Sequence, residues 1–334
     1  MRHRHIMNKE EQVLFGSIES IIQRYNLFNK EICVAYSGGK DSWFLCKALK
    51  ELGYIVHALI LDIGYEFDWT STINKLKPLK IDAEIVKKDR IQDDDARKEI
   101  ERNFEYVKSI SFCTQYGKNT ICTPCYNAKM IMLTSWAQLN KITCIATGHH
   151  ATDAISSMLK SYYMYIDRWV FSHKEYTYEN FEKLIKSQEF LYRDQVNNSI
   201  QIGLLEDIRN KILANKVGTD EPIKKYLINS NICICCPMFA IHEKQIVRYM
   251  KNNNYIYGMG ECFLGYRKSG IYTPRELIQL LLLKKAPDEL LEELINIVKM
   301  GLNEDGTLKF NFRNNRSEIL GKTYKETFIN KLKI

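Results

Sequence analysis

The 334-residue sequence lacks an apolar run long enough to span a membrane. Its most apolar stretch, residues 277–283, falls far short of the ~20 residues that cross a bilayer. No apolar segment follows the basic residues 1–5, so no signal peptide is expected. There is also no internal repeat and no low-complexity segment. We therefore expect a soluble, cytoplasmic protein with no membrane partner.

The composition also excludes a collagen and a disordered tail protein, because 45% of the residues are hydrophobic and 26% are charged. At roughly 100–200 residues per domain, a chain of this length is predicted to hold about two domains. Lys and Arg number 48 against 40 Asp and Glu, which gives a net charge of +8. This surplus and the 20 tyrosines are compatible with RNA, which proteins hold by phosphate contacts and by stacking on bases.

Ten cysteines are unusual in a chain with this expected location. A disulfide framework is not expected, because the cytosol keeps thiols reduced. Cys33, Cys46 and Cys144 lie inside apolar runs, and we predict that they are buried core residues. The other cysteines are candidates for chemistry: Cys113, Cys122, Cys125, Cys233, Cys235, Cys236 and Cys262.

Apolar runs of strand length alternate with segments of helical periodicity through the first half of the chain. This alternation predicts a doubly wound α/β domain, in which helices cover both faces of a parallel sheet. The predicted strands are residues 32–36, 55–61, 83–86 and 142–147, and a strand followed by a helix is predicted over 237–250. We expect an N-terminal helix at 1–24, the α/β domain at 25–165, a mainly helical insertion at 166–232, and a C-terminal segment at 233–334 that completes the site and ends in helices.

The sharpest motif is the hexapeptide SGGKDS at residues 37–42. It follows a predicted strand and opens a predicted helix, so its backbone N–H groups and the positive helix end point at any ligand in the turn. It is not a Walker loop, because that motif needs four residues between its first glycine and Gly-Lys-Ser/Thr. The hexapeptide therefore predicts a phosphate-binding turn formed by Ser37, Gly38, Gly39, Lys40, Asp41 and Ser42.

Two further motifs follow along the chain. Cys122 and Cys125 form a C-x-x-C pair before a predicted helix, a spacing that suits redox chemistry or metal ligation. Gly148 and His149 end the next predicted strand, and Asp153 lies in the helix after it. By itself, a histidine at that position is compatible with either phosphate binding or helix capping.

In this setting the hexapeptide resembles the PP-loop of the N-type ATP pyrophosphatases, which share an adenine nucleotide alpha hydrolase-like fold. The resemblance implies cleavage of ATP between its α and β phosphates, adenylation of an acceptor oxygen and release of pyrophosphate. It implies that Asp41 helps to hold Mg²⁺ and that Lys40 and His149 stabilise phosphate charge. Asp62, at the end of the second predicted strand, would approach the adenosine.

The order of the PP-loop, the C-x-x-C pair and Gly-His-His-x-x-Asp resembles the tRNA-thiolating branch, whose members make 2-thiocytidine or 2-thiouridine. That resemblance implies a [4Fe–4S] cluster on three cysteines, with one iron left to carry sulfur. It also implies tRNA and a sulfur donor protein or sulfide as partners, and a homodimer is an option. The third cysteine of that branch follows a strand and a helix, which favours Cys122, Cys125 and Cys262 as ligands. The alternative ligands form the C-x-C-C cluster: Cys233, Cys235 and Cys236.

Three departures from the branch leave the acceptor open. The insertion is longer than expected, only Asp153 of the usual two acidic residues is present, and paired zinc fingers cannot be assembled. The alternatives are an enzyme that thiolates or amidates a small molecule or peptide, a sulfonucleotide reductase-like protein suggested by residues 62–67, and a non-catalytic nucleotide sensor.

Overall fold

The structure, a computed structural model, describes residues 7–24, 31–64, 68–91, most of 94–102, 122–153, 155–156, 232–255 and 274–300. These residues fall into two compact units. The first comprises the described residues up to His150 together with 232–255, and the second comprises those of 151–156 and 274–300. The predicted helical insertion, apart from its last residue, and the tail 301–334 lie outside the described residues. The domain boundaries drawn from the sequence stay predictions.

The first unit is built on a five-stranded parallel sheet with the strand order β3-β2-β1-β4-β5. Its strands are β1 (Glu31–Ala35), β2 (Ile55–Asp62), β3 (Ala83–Lys87), β4 (Cys144–Ala146) and β5 (Cys233–Cys235). The chain winds outward from β1 to β3 and then crosses to the other side of β1. The switch point of the sheet therefore lies between β1 and β4, where ligands of doubly wound folds bind. The predicted fold class is confirmed.

Helices cover both faces of this sheet. Those of the first unit are α1 (Lys9–Arg24), α2 (Lys40–Glu51), the short α3 (Thr70–Asn74), α4 (Cys122–Leu139) and α5 (Glu243–Asn252). Side chains of α1, α2 and α5 form one apolar core on one face, and those of α4 form a second core on the other. The second unit contributes α6 (Pro274–Lys285) and α7 (Asp288–Met300). None of the helices in the described ranges has both the length and the apolar character of a membrane span.

Strand residues alternate between the two cores because successive side chains of a strand point to opposite faces. Ile32 and Val34 belong to the core under α1, α2 and α5, whereas Cys33 between them belongs to the core under α4. Cys46 and Cys144 are buried in the first of these cores. The structure thus buries all three cysteines that the apolar runs predicted to be core residues.

The first helix is tied to the fifth through a buried carboxylate. Asn8 and Glu11 cap α1 reciprocally, since the Glu11 N–H donates to Asn8 Oδ1 (2.9 Å) and the Asn8 N–H donates to Glu11 Oε2 (3.1 Å). The hydroxyl of Tyr249 in α5 donates to the other Glu11 oxygen at 2.8 Å. Burial, followed by the Glu11 interaction, raises the pKa of Tyr249 well above its usual range, so the hydroxyl remains a donor.

The last strand lies earlier in the sequence than predicted. Residues 237–250 were expected to hold a strand and then a helix, but β5 ends at Cys235, before Pro237. Proline has no N–H for the ladder and is disfavoured inside a sheet. The helical part of the prediction is confirmed by α5. This shift matters because it places the C-x-C-C cluster on β5 and its carboxyl end.

Candidate active site

The motifs that the sequence singled out in the first unit lie at one edge of the sheet. The PP-loop follows β1, Asp62 ends β2 and Gly148 follows β4. Because a crossover helix returns the chain from the carboxyl to the amino ends of the strands, α4 begins at this same edge with Cys122. The parallel arrangement of the strands therefore brings the PP-loop and the start of α4, with its C-x-x-C pair, to the carboxyl edge of the sheet.

The PP-loop needs glycine at its tightest point. Gly38 has a φ of +75°, and a Cβ placed there would lie only 2.7 Å from Thr72 Cγ2. In addition, Lys75 Nζ donates to the Gly38 carbonyl at 3.1 Å, and the Trp43 indole N–H donates to the Lys75 carbonyl at 2.8 Å. The turn after α3 thus clamps the loop, a role that local sequence patterns did not reveal for Thr72 or Lys75.

The two serine hydroxyls organise the loop from within. The Ser37 N–H donates to Ser42 Oγ at 3.2 Å, and Ser42 Oγ donates to the Gly39 carbonyl at 3.2 Å. The two hydroxyls are also 3.2 Å apart. Gly39 is the N-cap of α2, and no side chain caps the helix there. The loop is therefore folded around its own hydroxyls, with the positive end of α2 at the turn.

Lys40 lies between two carboxylates. Its Nζ is 2.9 Å from Asp41 Oδ2 and 2.7 Å from Glu243 Oε1, in the first turn of α5. Burial alone would lower the pKa of Lys40, but the charges and hydrogen bonds of Asp41 and Glu243 outweigh it and raise the pKa above its usual value. Lys40 is therefore a cation at neutral pH. No sequence motif identified Glu243 as a partner of Lys40, because the two residues are far apart in the sequence and meet only in the folded domain.

Asp41 also faces a histidine, His150, for which the sequence predicted no role. His150 Nε2 lies 3.7 Å from Asp41 Oδ1, and the His150 side chain is buried. Oδ1 of Asp41 is itself buried and accepts no hydrogen bond from the described residues. His149 has its Nδ1 2.9 Å from Thr147 Oγ1, and its predicted role toward phosphate stays a prediction. The sequence identified the pair of histidines, but only the packing of the fold shows that the His150 ring faces Asp41 of the PP-loop.

The turn after β4 packs directly on the start of α2. A Cβ on Gly148 would lie 3.1 Å from the Ser42 nitrogen and 3.4 Å from the Asp41 carbonyl carbon. This close backbone approach explains why the Gly-His-His motif begins with glycine. The turns after β1 and β4 are therefore in contact at the switch point of the sheet.

The cysteines of the C-x-C-C cluster have different surroundings. Cys235 is buried in the apolar core, with its Sγ 4.0 Å from that of Cys144. Cys236 follows β5 at the carboxyl edge, and its Sγ is 3.2 Å from Thr147 Oγ1. Cys122 and Cys125 lie in the first turn of α4. Their side chains, that of Cys233 and the whole of Cys262 lie outside the described part of the structure.

Two predicted site carboxylates have structural partners. Asp62 Oδ1 accepts the N–H of Gly64 at 2.9 Å and so shapes the turn after β2, where Gly64 has a φ of +106°. Asp153 belongs to the second unit, where the Gln279 side-chain amide donates to its Oδ1 at 2.7 Å. Their predicted roles toward the nucleotide stay predictions.

Sequence comparison finds relatives that are named as tRNA 2-sulfurtransferases. No model of a protein family matches the chain. A tRNA-cytidine(32) 2-sulfurtransferase of Francisella tularensis is 32% identical over 158 residues, which cover 46% of this chain and 59% of the relative. A tRNA-5-methyluridine(54) 2-sulfurtransferase of Thermotoga maritima is 28% identical over 149 residues, or 42% of this chain and 44% of the relative. The matched region thus spans about 59% or less of these curated relatives.

A solved structure with the same fold is the U34-tRNA thiolase from Methanococcus maripaludis with its [4Fe–4S] cluster. The TM-score is 0.50 and the sequence identity 14%, with coverage of 87% of this chain and 79% of that one. At this identity the likeness concerns the fold. The sequence relatives confirm the predicted resemblance of this chain to the tRNA 2-thiolation sulfurtransferases, and the solved structure confirms the predicted fold.

Proposed function

We propose that the protein is an ATP-dependent sulfurtransferase that adenylates the carbonyl oxygen of a tRNA base and replaces that oxygen with sulfur. The observation that carries the proposal is the SGGKDS turn at the switch point of the sheet, with Lys40 and Asp41 in the first turn of α2. Sequence relatives named as tRNA 2-sulfurtransferases support tRNA as the acceptor.

In this proposal the loop binds the phosphates of ATP. The backbone N–H groups at the start of α2 and the Lys40 ammonium would neutralise the charge that develops on the leaving pyrophosphate. Asp41 suits a magnesium ion, because carboxylate oxygens are preferred Mg²⁺ ligands and its Oδ1 is buried without a hydrogen bond from the described residues. His150, rather than His149, is the ring that faces this carboxylate.

The reaction follows from these positions in two steps. The base carbonyl oxygen attacks the α phosphorus of ATP, an oxygen–phosphorus bond forms, and pyrophosphate leaves. Sulfide (HS⁻) then attacks the activated ring carbon, a carbon–sulfur bond forms, AMP departs with the original oxygen, and loss of the sulfur-bound proton leaves the thiocarbonyl. The loop acts in the first step, where it stabilises the leaving group, and the second step needs no general base for a sulfide nucleophile.

Three thiolates would hold a [4Fe–4S] cluster, and we assign them to Cys122, Cys125 and Cys236. Thiolate ligands suit iron–sulfur clusters, and a cluster with three protein ligands would supply an iron able to carry sulfur. Cys236 is favoured within its cluster because it lies at the carboxyl edge, whereas Cys235 is packed in the core. Cys262, which the resemblance favoured, remains the competing assignment.

The test is an anaerobic assay of the iron-reconstituted full chain with ATP, Mg²⁺, sulfide and total tRNA. We expect pyrophosphate release that depends on RNA, and 2-thiocytidine or 2-thiouridine in the nucleosides detected by mass spectrometry. Asp41→Asn should lower pyrophosphate release by at least about 10²-fold with iron content unchanged. Asp82→Asn is the matched control, because Asp82 is exposed just before β3, at the amino end of that strand.

Each outcome has a distinct meaning. Pyrophosphate release without RNA would replace tRNA with a small acceptor, and release that survives Asp41→Asn would remove the PP-loop from the mechanism. Thiolated nucleosides formed without ATP would contradict the adenylation step.

A further inference from the structure

The PP-loop lysine is held by a carboxylate that comes from a distant part of the chain. Glu243 opens α5 and contacts Lys40 at 2.7 Å, although the two residues are about two hundred positions apart in sequence. The Lys40 and Glu243 side chains are only 19% and 14% exposed. Their interaction is therefore less screened by salt than a surface ion pair would be.

The packing of two helices fixes this contact. The Phe44 ring of α2 and the Tyr249 ring of α5 meet edge to face with centroids 5.1 Å apart, deep in the apolar core. In addition, the carboxylate of Glu243 lies in the first turn of its own helix, where the helix dipole stabilises a negative charge. The packing of α2 against α5 thus places the Glu243 carboxylate beside Lys40.

The charges around the loop offset one another. Lys40 and Lys75 bring two positive charges to it, and Asp41 and Glu243 bring two negative ones. A metal-free polyphosphate would have to displace Glu243 from Lys40 and would be repelled by both carboxylates. In the magnesium complex the metal already neutralises part of the phosphate charge, so the binding of that complex depends less on Lys40 and is opposed less by Glu243.

We propose that Glu243 competes with phosphate for Lys40 and thereby makes the loop select the magnesium complex of its ligand over the metal-free anion. Glu243 is in this sense a positioning residue that acts through Lys40. The inference rests on the proposed function, since it assumes that the loop binds the pyrophosphate portion of ATP.

The experiment is calorimetric titration of the full chain with inorganic pyrophosphate, once with excess Mg²⁺ and once with EDTA. We expect Glu243→Gln to tighten metal-free binding about tenfold, equivalent to about 1.4 kcal/mol, and to change binding of the magnesium complex by less than about threefold. Glu51→Gln is the matched control, because Glu51 forms a similar pair with Lys47 (2.6 Å) at the far end of α2. It should leave both affinities unchanged.

A double-mutant cycle with Lys40→Gln separates action through Lys40 from simple charge repulsion. The gain in metal-free affinity from Glu243→Gln should be at least about threefold smaller in the Lys40→Gln background. An equal gain in both backgrounds would overturn the proposal, and so would unchanged or weaker metal-free binding by a folded Glu243→Gln protein. If wild type binds pyrophosphate under neither condition, the proposed function itself fails, and this inference fails with it.

Discussion

Two turns at the same edge of the sheet differ in almost every chemical respect. The turn after β1 is built from glycines, hydroxyls and charged groups, and its lysine contacts two carboxylates. The turn after β5 presents a thiol, Cys236, in contact with the hydroxyl of Thr147. β4 lies between them, and its own turn contacts both, through Gly148 on one side and Thr147 on the other.

The difference suits two kinds of ligand chemistry at the carboxyl edge of the sheet, one at each turn. Backbone amides and ammonium groups suit a hard, highly charged ligand such as pyrophosphate, whereas thiolates suit soft iron and sulfur. Because parallel strands end side by side, a reaction that needs both kinds of chemistry can be assembled without long loops. This comparison predicts that damage to one turn leaves the binding function of the other intact.

The largest effect is expected from the two neighbouring cysteines at the end of β5, Cys235 in the strand and Cys236 just after it. After anaerobic reconstitution, Cys236→Ser should lose nearly all bound iron, while Cys235→Ser should keep it, because the Cys235 side chain packs in the apolar core and Cys236 follows the strand, beside Thr147. Both variants should still bind pyrophosphate, because the PP-loop is untouched. Iron analysis, the visible spectrum and calorimetry measure these outcomes.

Cys262→Ser tests the competing assignment of the third ligand. If Cys262→Ser loses iron while Cys236→Ser retains it, Cys262 is the third ligand. Cys236 would then have a structural role through its contact with Thr147. Loss of pyrophosphate binding in either variant would show that the two turns are not independent.

A smaller effect is expected from the contact between the turns after β1 and β4. Gly148→Ala puts a methyl group 3.1 Å from the Ser42 nitrogen and should push the turn away from α2. We expect weaker pyrophosphate binding and a loss of about 2 kcal/mol in the free energy of unfolding. Gly16→Ala is the control, because a Cβ at Gly16 in α1 meets no atom within 4 Å and alanine favours a helix. Equal stability of the two variants would contradict the close contact.

The smallest effect is expected away from both turns. Tyr249→Phe removes the hydroxyl that donates to the buried Glu11 and should lower the free energy of unfolding by about 1.5 kcal/mol. Pyrophosphate binding and iron content should not change. Urea unfolding followed by circular dichroism measures the loss, with Tyr54→Phe, a partly exposed tyrosine, as the comparison. A loss of stability no larger than that of Tyr54→Phe would show that the hydrogen bond from Tyr249 to Glu11 does not stabilise the packing of α1.

Much of the fold could be predicted from local patterns. The apolar runs predicted four of the five strands, because a strand buried on both faces must be apolar along its length. β5 was placed too late, since its Cys-Ile-Cys sequence is short and its cysteines suggested chemistry rather than packing. The glycines of the PP-loop and of Gly148 could be singled out because tight turns and close approaches restrict residue type locally.

The sequence by itself determined the PP-loop and the parallel sheet, since the first depends on the residue types of one short segment and the second on the spacing of apolar residues along the chain. Only the tertiary structure decided that Glu243 contacts Lys40, that His150 faces Asp41, and that Cys235 packs in the core while Cys236 contacts Thr147. These facts depend on the register and packing of elements far apart in the chain. Two adjacent residues of the same type cannot be distinguished from the local sequence. They differ in the direction in which each side chain points from its strand or turn, and the fold decides that direction.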